Sequence, residues 1–252
     1  MKQFTKFLLA VALLAGTGYT AVNAQTAVKA DSTEMVDPHL SGFSSIKIGG
    51  PFEVHITQGA VESVKYAETP DVKGHITAEV SGGVLKIHNT HDKWWGKTSW
   101  YGEKSIWRNH KKIKVYITAK NLEAITVSGS GDLFFEEGIT AEALNLKLRG
   151  SGSIVGKVDV KTLVSHISGS GGMKLSGNAG SSRVKVAGSG RFNGRSLVTT
   201  GSAVVISGSG RAEINASDKV DATVHGSGGV SYTGTAKAVS SSKSGSGEIS
   251  RF

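Results

Sequence analysis

Residues 91–112, HDKWWGKTSWYGEKSIWRNHKK, hold all four tryptophans of the chain: Trp94, Trp95, Trp100 and Trp107. Tyr101 stands among them, interleaved with Lys93, Lys97, Lys104, Arg108, Lys111 and Lys112. Rings of this size offer broad apolar faces with a polar tip, which suits stacking on sugars. The cations between them, Arg108 included, can pair with carboxylate or sulfate. A second use is open to the same residues, since large aromatics also close the end of a repetitive core or seal a protein contact. Neither the helix nor the strand period runs through the segment, so it reads as an excursion or long hairpin between two strands. Loops carrying such groups on a rigid scaffold are where binding concentrates.

Metal chemistry has a weaker claim. His88, His91 and Asp92 sit together in HNTHD, with His110 across the hairpin, and zinc sites do combine His with carboxylate. Scattered loop histidines are commoner, and no metal or other cofactor is assigned.

What positions these residues is a repeat. Gly-Ser-Gly recurs with its two glycines at Gly129 and Gly131, Gly150 and Gly152, Gly169 and Gly171, Gly188 and Gly190, Gly208 and Gly210, Gly226 and Gly228, and Gly245 and Gly247. The steps are 21, 19, 19, 20, 18 and 19 residues, a period that marks a solenoid. Two residues before each triplet stand Val127, Leu148, Ile167, Val186, Ile206, Val224 and Lys243. Four residues after its first Gly stand Leu133, Ile154, Met173, Phe192, Ala212, Val230 and Ile249. Polar residues alternate with these, which is the strand period with one face buried. Each repeat is therefore predicted as strand, Gly-Ser-Gly corner, strand, then a looser corner such as Asn178-Ala179-Gly180 or Asp218-Lys219. Positive φ and close approach of stacked backbones both call for glycine at the tight corner. Stacked in parallel, such coils line their apolar positions into internal ladders. The fold predicted is an all-β parallel β-helix, or solenoid, whose last coil is polar because Ser241 and Lys243 interrupt the ladder.

The repeat also excludes chemistries. A phosphate loop needs a helix after its glycines, whereas each triplet here leads into another strand. A calcium β-roll needs an Asp in every copy, and only Asp132 follows a triplet directly; its equivalents are Ser153, Gly172, Arg191, Arg211, Gly229 and Glu248. Glycosidases need two carboxylates about 5–10 Å apart, and no acid pair recurs at matching offsets from the triplets. Arg191 and Arg211 do fall in register on successive coils and form a candidate anion contact, the alternative being a plain solvated basic ladder.

Residues 41–118 lack the triplet but remain strand-like. FSSIKIGGPFEVHITQG alternates and breaks at Gly49-Gly50-Pro51, a turn signal, and Thr69-Pro70-Asp71 predicts one short helical turn towards His75. This half reads as wider, less regular coils of the same structure, or as a small sheet continuous with it.

Before it, Lys2 and Lys6, the apolar run Phe7–Ala15 and Val22-Asn23-Ala24 form the layout of a secretory signal over residues 1–24. Residues 25–40 read as a flexible linker and 41–252 as one domain, with the repeat array from 119. The chain has no cysteine, which excludes disulfides and an N-terminal lipid-modified Cys. Its net charge of +9 attracts polyanions, and with export these are glycans rather than nucleic acid. No apolar run beyond the signal is long enough to span a membrane.

SGFSSIKIGGPFEVHITQG, then GGVLKI, then KIKVYITAKNLEAITVSGSGDL and the serial triplets together resemble the putative auto-transporter adhesin head GIN domain family, from Ser41 to Phe252. The resemblance implies a pectate-lyase-like parallel β-helix without recognised catalytic residues, and a role in adhesion. A membrane barrel would need a set of ten-residue amphipathic strands with aromatic girdles, which the sequence does not contain. The function expected is a non-enzymatic surface, presented in the periplasm, on the outer cell surface or outside the cell, for a glycan, another envelope component or a surface protein. A polysaccharide lyase or hydrolase and a purely structural envelope protein are the alternatives.

Overall fold

A computed structural model describes residues 33–69, 72–90 and 112–252. Among them there is no helix, and every strand belongs to one sheet. The N-terminal strands are β1 (Glu34–Val36), β2 (Ser45–Gly49), β3 (Phe52–Gln58), β4 (Ser63–Glu68), β5 (Ile76–Ser81), β6 (Val84–Asn89), β7 (Ile113–Ala119), β8 (Ala124–Gly129) and β9 (Asp132–Phe135). The repeat array supplies β10 (Ile139–Gly150), β11 (Ser153–Gly169), β12 (Gly172–Gly188), β13 (Arg191–Gly208), β14 (Arg211–Gly226), β15 (Gly229–Thr233), β16 (Ala238–Ser244) and β17 (Glu248–Arg251).

Successive coils pair in parallel, and both predicted ladders exist. Val127, Leu148, Ile167, Val186, Ile206 and Val224 are consecutive register partners. So are Leu133, Ile154, Met173, Phe192, Ala212, Val230 and Ile249. All but Ile249 are buried. Fully burying a side chain of this kind stabilises by about 1.5–3 kcal/mol, and each ladder repeats that gain at every coil. The array ends as expected: Val224 pairs with Lys243, and β16 is exposed throughout.

The two glycines of a triplet do different jobs. The first always has positive φ, 109° at Gly188 for example, a region most side chains avoid. The second does not, which corrects the expectation that positive φ makes Gly190 a glycine. Its constraint is space, because a Cβ on Gly190 would lie 2.6 Å from Ile167 Cγ2 and 2.8 Å from the Gly171 carbonyl oxygen of the coil beneath.

The looser corner falls where it is expected. Asp159 pairs with Asn178 and Val160 with Ala179, the register lapses at Gly180, and it resumes with Thr162 and Ser181. There the in–out alternation breaks, at Gly180-Ser181 in β12 as at Lys161-Thr162 in β11, and again along Ser217-Asp218-Lys219 in β14.

The N-terminal half is continuous with the solenoid, but its coils are not in chain order. Ile48 of β2 lies between Ile87 of β6 and Val127 of β8, while Val54 of β3 lies between Val115 of β7 and Leu133 of β9. The β2–β3 coil is thus seated between β6–β7 and β8–β9. Beyond β6–β7 the strands turn antiparallel, with β5 on β6, β4 on β7 and β1 on β4. Glu34–Val36, within the stretch read as a linker, is therefore paired backbone. Of the helical turn expected at Thr69-Pro70-Asp71, Pro70 and Asp71 lie outside the described residues; beside them Val72 N donates to Thr69 O and His75 N to Val72 O, each at 3.0 Å, and Val72 is buried.

Candidate binding site beside the corner stack

The residue after each tight corner points outward, and register lines these residues into one column. It reads Lys114, Glu53, Asp132, Ser153, Gly172, Arg191, Arg211, Gly229 and Glu248. Arg191 and Arg211 are direct partners, as their spacing predicts, and both are exposed. Gly172 and Gly229 flank them in the column.

At the other end of the column is a cluster that sequence reasoning missed. Glu53 and Asp132 are register partners, an acid pair hidden from the triplet offsets because β3 has no triplet. Two residues further along each strand stand Tyr116, His55 and Phe134. The His55 ring stacks on both neighbours, at 5.2 Å and 19° to Tyr116 and 5.4 Å and 23° to Phe134. Its Nε2 lies 3.0 Å from Glu53 Oε1 and its Nδ1 2.5 Å from Glu136 Oε1. Lys114 Nζ is 3.6 Å from Glu53. Asp132 takes an ion pair from Lys112 and a 2.6 Å hydrogen bond from the Ser153 hydroxyl.

These contacts set the charges. Partial burial pushes the His55 pKa down, but the carboxylates of Glu136 and Glu53 outweigh it and hold the imidazolium above its ordinary range. The His55 hydrogen bond, helped by Lys114, holds Glu53 below the usual carboxylate range. Burial opposes ionisation of Asp132, yet hydrogen bonds from Lys112 and Ser153 prevail and lower it. The cluster is a fixed array of charges around a ring stack whose middle member, His55, is flanked by a ring on each side. Alternation in FEVHITQ, IKVYITA and DLFF marks His55, Tyr116 and Phe134 as outward; what the sequence lacks is any sign that these strands are neighbours.

Residues 91–111 lie outside the described residues, and with them Trp94, Trp95, Trp100, Tyr101, Trp107 and Arg108, as well as His91, Asp92 and His110. The anchor points of the segment are described. Gly49 pairs with His88 and Phe52 with Ile113, so the chain between His88 and Ile113 links two register positions that the neighbouring coil links with Gly50-Pro51 alone. Lys112, where the segment rejoins the sheet, donates to the Ser130 carbonyl at 3.2 Å and pairs with Asp132. Lys112 is thus fixed to the corner stack beside the Tyr116–His55–Phe134 rings. No metal-holding group of His, Cys, Asp and Glu occurs among the described residues.

Solved structures with this fold come from several bacteria. The crystal structure of a putative adhesin from Bacteroides fragilis NCTC 9343 superposes with a TM-score of 0.78 at 25% identity, covering 88% of this chain and 97% of that one. A putative lipid binding protein from Parabacteroides distasonis ATCC 8503 matches at 0.68 and 21%, over 87% and 96%. A putative adhesin from Parabacteroides merdae ATCC 43184 matches at 0.63 and 18%, over 88% and 95%. Among curated proteins nothing matches. The sequence pattern of one family fits residues 42–236. Family and neighbours support a role in binding or adhesion, and the chain belongs to the family described as "putative auto-transporter adhesin, head GIN domain".

Proposed function

We propose that this protein is an exported, non-enzymatic adhesin-type solenoid that holds a glycan, of the envelope or of a neighbouring surface, beside its corner stack. The observation that carries the reading is the position of Lys112, the last residue of the tryptophan segment, next to the stacked rings and the charged column. The stacked rings offer edges and the Tyr116 hydroxyl; Trp94, Trp95, Trp100 and Trp107, with Tyr101, supply broad faces for sugar rings. Arg108 and, further along the column, Arg191 and Arg211 supply bidentate donors for acidic substituents. The same acids speak against glycoside hydrolysis. That reaction needs one carboxyl group kept protonated as general acid, and the neighbours of both Glu53 and Asp132 favour the ionised form.

The test is binding of the purified protein to neutral and acidic polysaccharides, beside a variant with the four tryptophans changed to Ala and shown to be folded. Loss of binding to the neutral polysaccharides in the folded variant is expected. Equal binding of neutral polysaccharides by both proteins, or hydrolysis of any polysaccharide in the panel, overturns the proposal.

A further inference from the structure

The sheet before the corner carries a second ordered row, of one sign. Its outward residues, coil by coil, are Lys86, Lys47, Thr126, Lys147, His166 and Lys185, each the register partner of the next. Arg149 stands two residues from Lys147, and Arg183 two from Lys185, both also outward and exposed. The row crosses five inter-strand steps of about 4.8 Å, or about 24 Å. No acid occupies an outward position on β6, β2, β8 or these parts of β10, β11 and β12. Lys86 pairs with Glu79 of β5 at 3.3 Å; Lys47, Lys147, Arg149, Arg183 and Lys185 pair with no acid among the described residues. Beyond Lys185 the row turns neutral, with Val205 and Thr223.

Like charges held in line on a rigid sheet repel one another and destabilise the free protein. His166 reports the crowding: burial, then Lys185, Arg149 and Lys147, hold its imidazole below the usual range. Beside the row, small side chains at Ser181, Gly201 and Ser202 open a groove bordered by Arg183, Lys219 and Asp221. An extended polymer fits this arrangement better than a compact anion, because the cations are strung along the stack and converge on no single point. No Phe, Tyr or Trp stands at the outward positions of these strands, and the two imidazoles there, His88 and His166, make no continuous platform for unpaired bases to stack on.

We propose that this row is a second binding site, which takes a linear acidic polysaccharide laid across the coils from Lys86 to Lys185. It uses none of the residues of the tryptophan segment and stands or falls independently of it.

The test uses the whole protein with polygalacturonate and dextran sulfate as probes, neutral dextran as blank, and single-stranded DNA and vesicles of anionic phospholipid as competitors. Lys47→Gln, Lys147→Gln and Lys185→Gln combined should weaken binding to the acidic polysaccharides about tenfold or more and flatten its salt dependence. The matching triple Lys→Arg variant should retain binding, as should the four-Trp variant. On adding polygalacturonate, the His166 resonance should titrate at higher pH, because an anion beside it favours the imidazolium. Unchanged affinity in the folded Gln variant, or an unmoved His166 titration on saturation, overturns the proposal. Tighter binding of DNA or of vesicles than of either polysaccharide overturns it too.

Discussion

Changing Gly190 to Ala adds one methyl group at the most crowded point of a central corner. The residue is buried and its φ is not positive, so the backbone conformation itself accepts an L side chain. The new Cβ would meet Ile167 Cγ2 at 2.6 Å and the Gly171 oxygen at 2.8 Å. Against an ordinary contact of 3.4 Å, those neighbours must yield about 0.8 and 0.6 Å. Overpacking of this sort costs about 1–3 kcal/mol. The same oxygen accepts the inter-coil hydrogen bond from Arg191 N at 3.0 Å, and spoiling it costs about 1 kcal/mol more. The expected destabilisation is about 2–4 kcal/mol, which for a chain of this size lowers the melting temperature by roughly 4–16 °C. Gly201→Ala is the internal control, since nothing lies nearer to its Cβ than Lys219 Cβ at 4.0 Å and its φ is not positive. There the methyl only restricts the unfolded chain, and stability should rise by about 0.4–1 kcal/mol. Thermal melts of both variants decide the matter. A Gly190→Ala protein melting within a degree of the wild type would refute the close-approach account of the second glycine.

Two further outcomes follow from groups buried in or fixed on the coils. Ser165 sits in the ladder between Leu146 and Val184 with its hydroxyl buried and without a hydrogen-bond partner. Ser165→Ala should therefore raise stability in chemical denaturation by about 1 kcal/mol, and a loss of similar size would show that the hydroxyl is satisfied. His55 should titrate by NMR above the ordinary imidazole value of about 6.5, and Glu136→Gln should bring its midpoint down; an unmoved midpoint refutes the pairing. The raised His55 pKa means its contribution is complete below about pH 6.5 and fades as pH rises through the folded value. Glu53, lowered, contributes above its ordinary value and fades as pH falls through its folded one. The cluster is firmest between those limits.

The array was legible because one period carried several independent constraints. Corner glycines, alternating apolar residues and polar spacers all repeat together, so the partners of Leu148 or Phe192 follow from counting nineteen or twenty residues. The N-terminal coils have no such period, and nothing near Ile48 announces that its neighbours are Ile87 and Val127. That is why Arg191 and Arg211 could be paired from the sequence, whereas Glu53, His55, Tyr116 and Phe134 could not. The basic row was missed for a related reason. Lys147, His166 and Lys185 are in step with the triplets, but Lys47 and Lys86 join them only through the reordered coils. The second glycine illustrates a different limit, for its requirement comes from the coil beneath and leaves no mark on its own backbone angles.

The reordering of the N-terminal coils constrains how the protein can be made. When residues 45–58 leave the ribosome, the strands that will flank them, β6–β7 on one side and β8–β9 on the other, do not yet exist. The first coil therefore gains its neighbour on one side only once residue 119 has emerged and on the other only once residue 135 has, and its apolar face, Ile46, Ile48, Phe52, Val54 and Ile56, stays incompletely covered for that interval. Winding in chain order becomes possible only from β10 onward, where each new coil meets a finished one. A newly synthesised chain is thus most exposed to capture by a chaperone, or by another copy of itself, during its first half, and copies of the repeat can be gained or lost only on the far side of β8–β9.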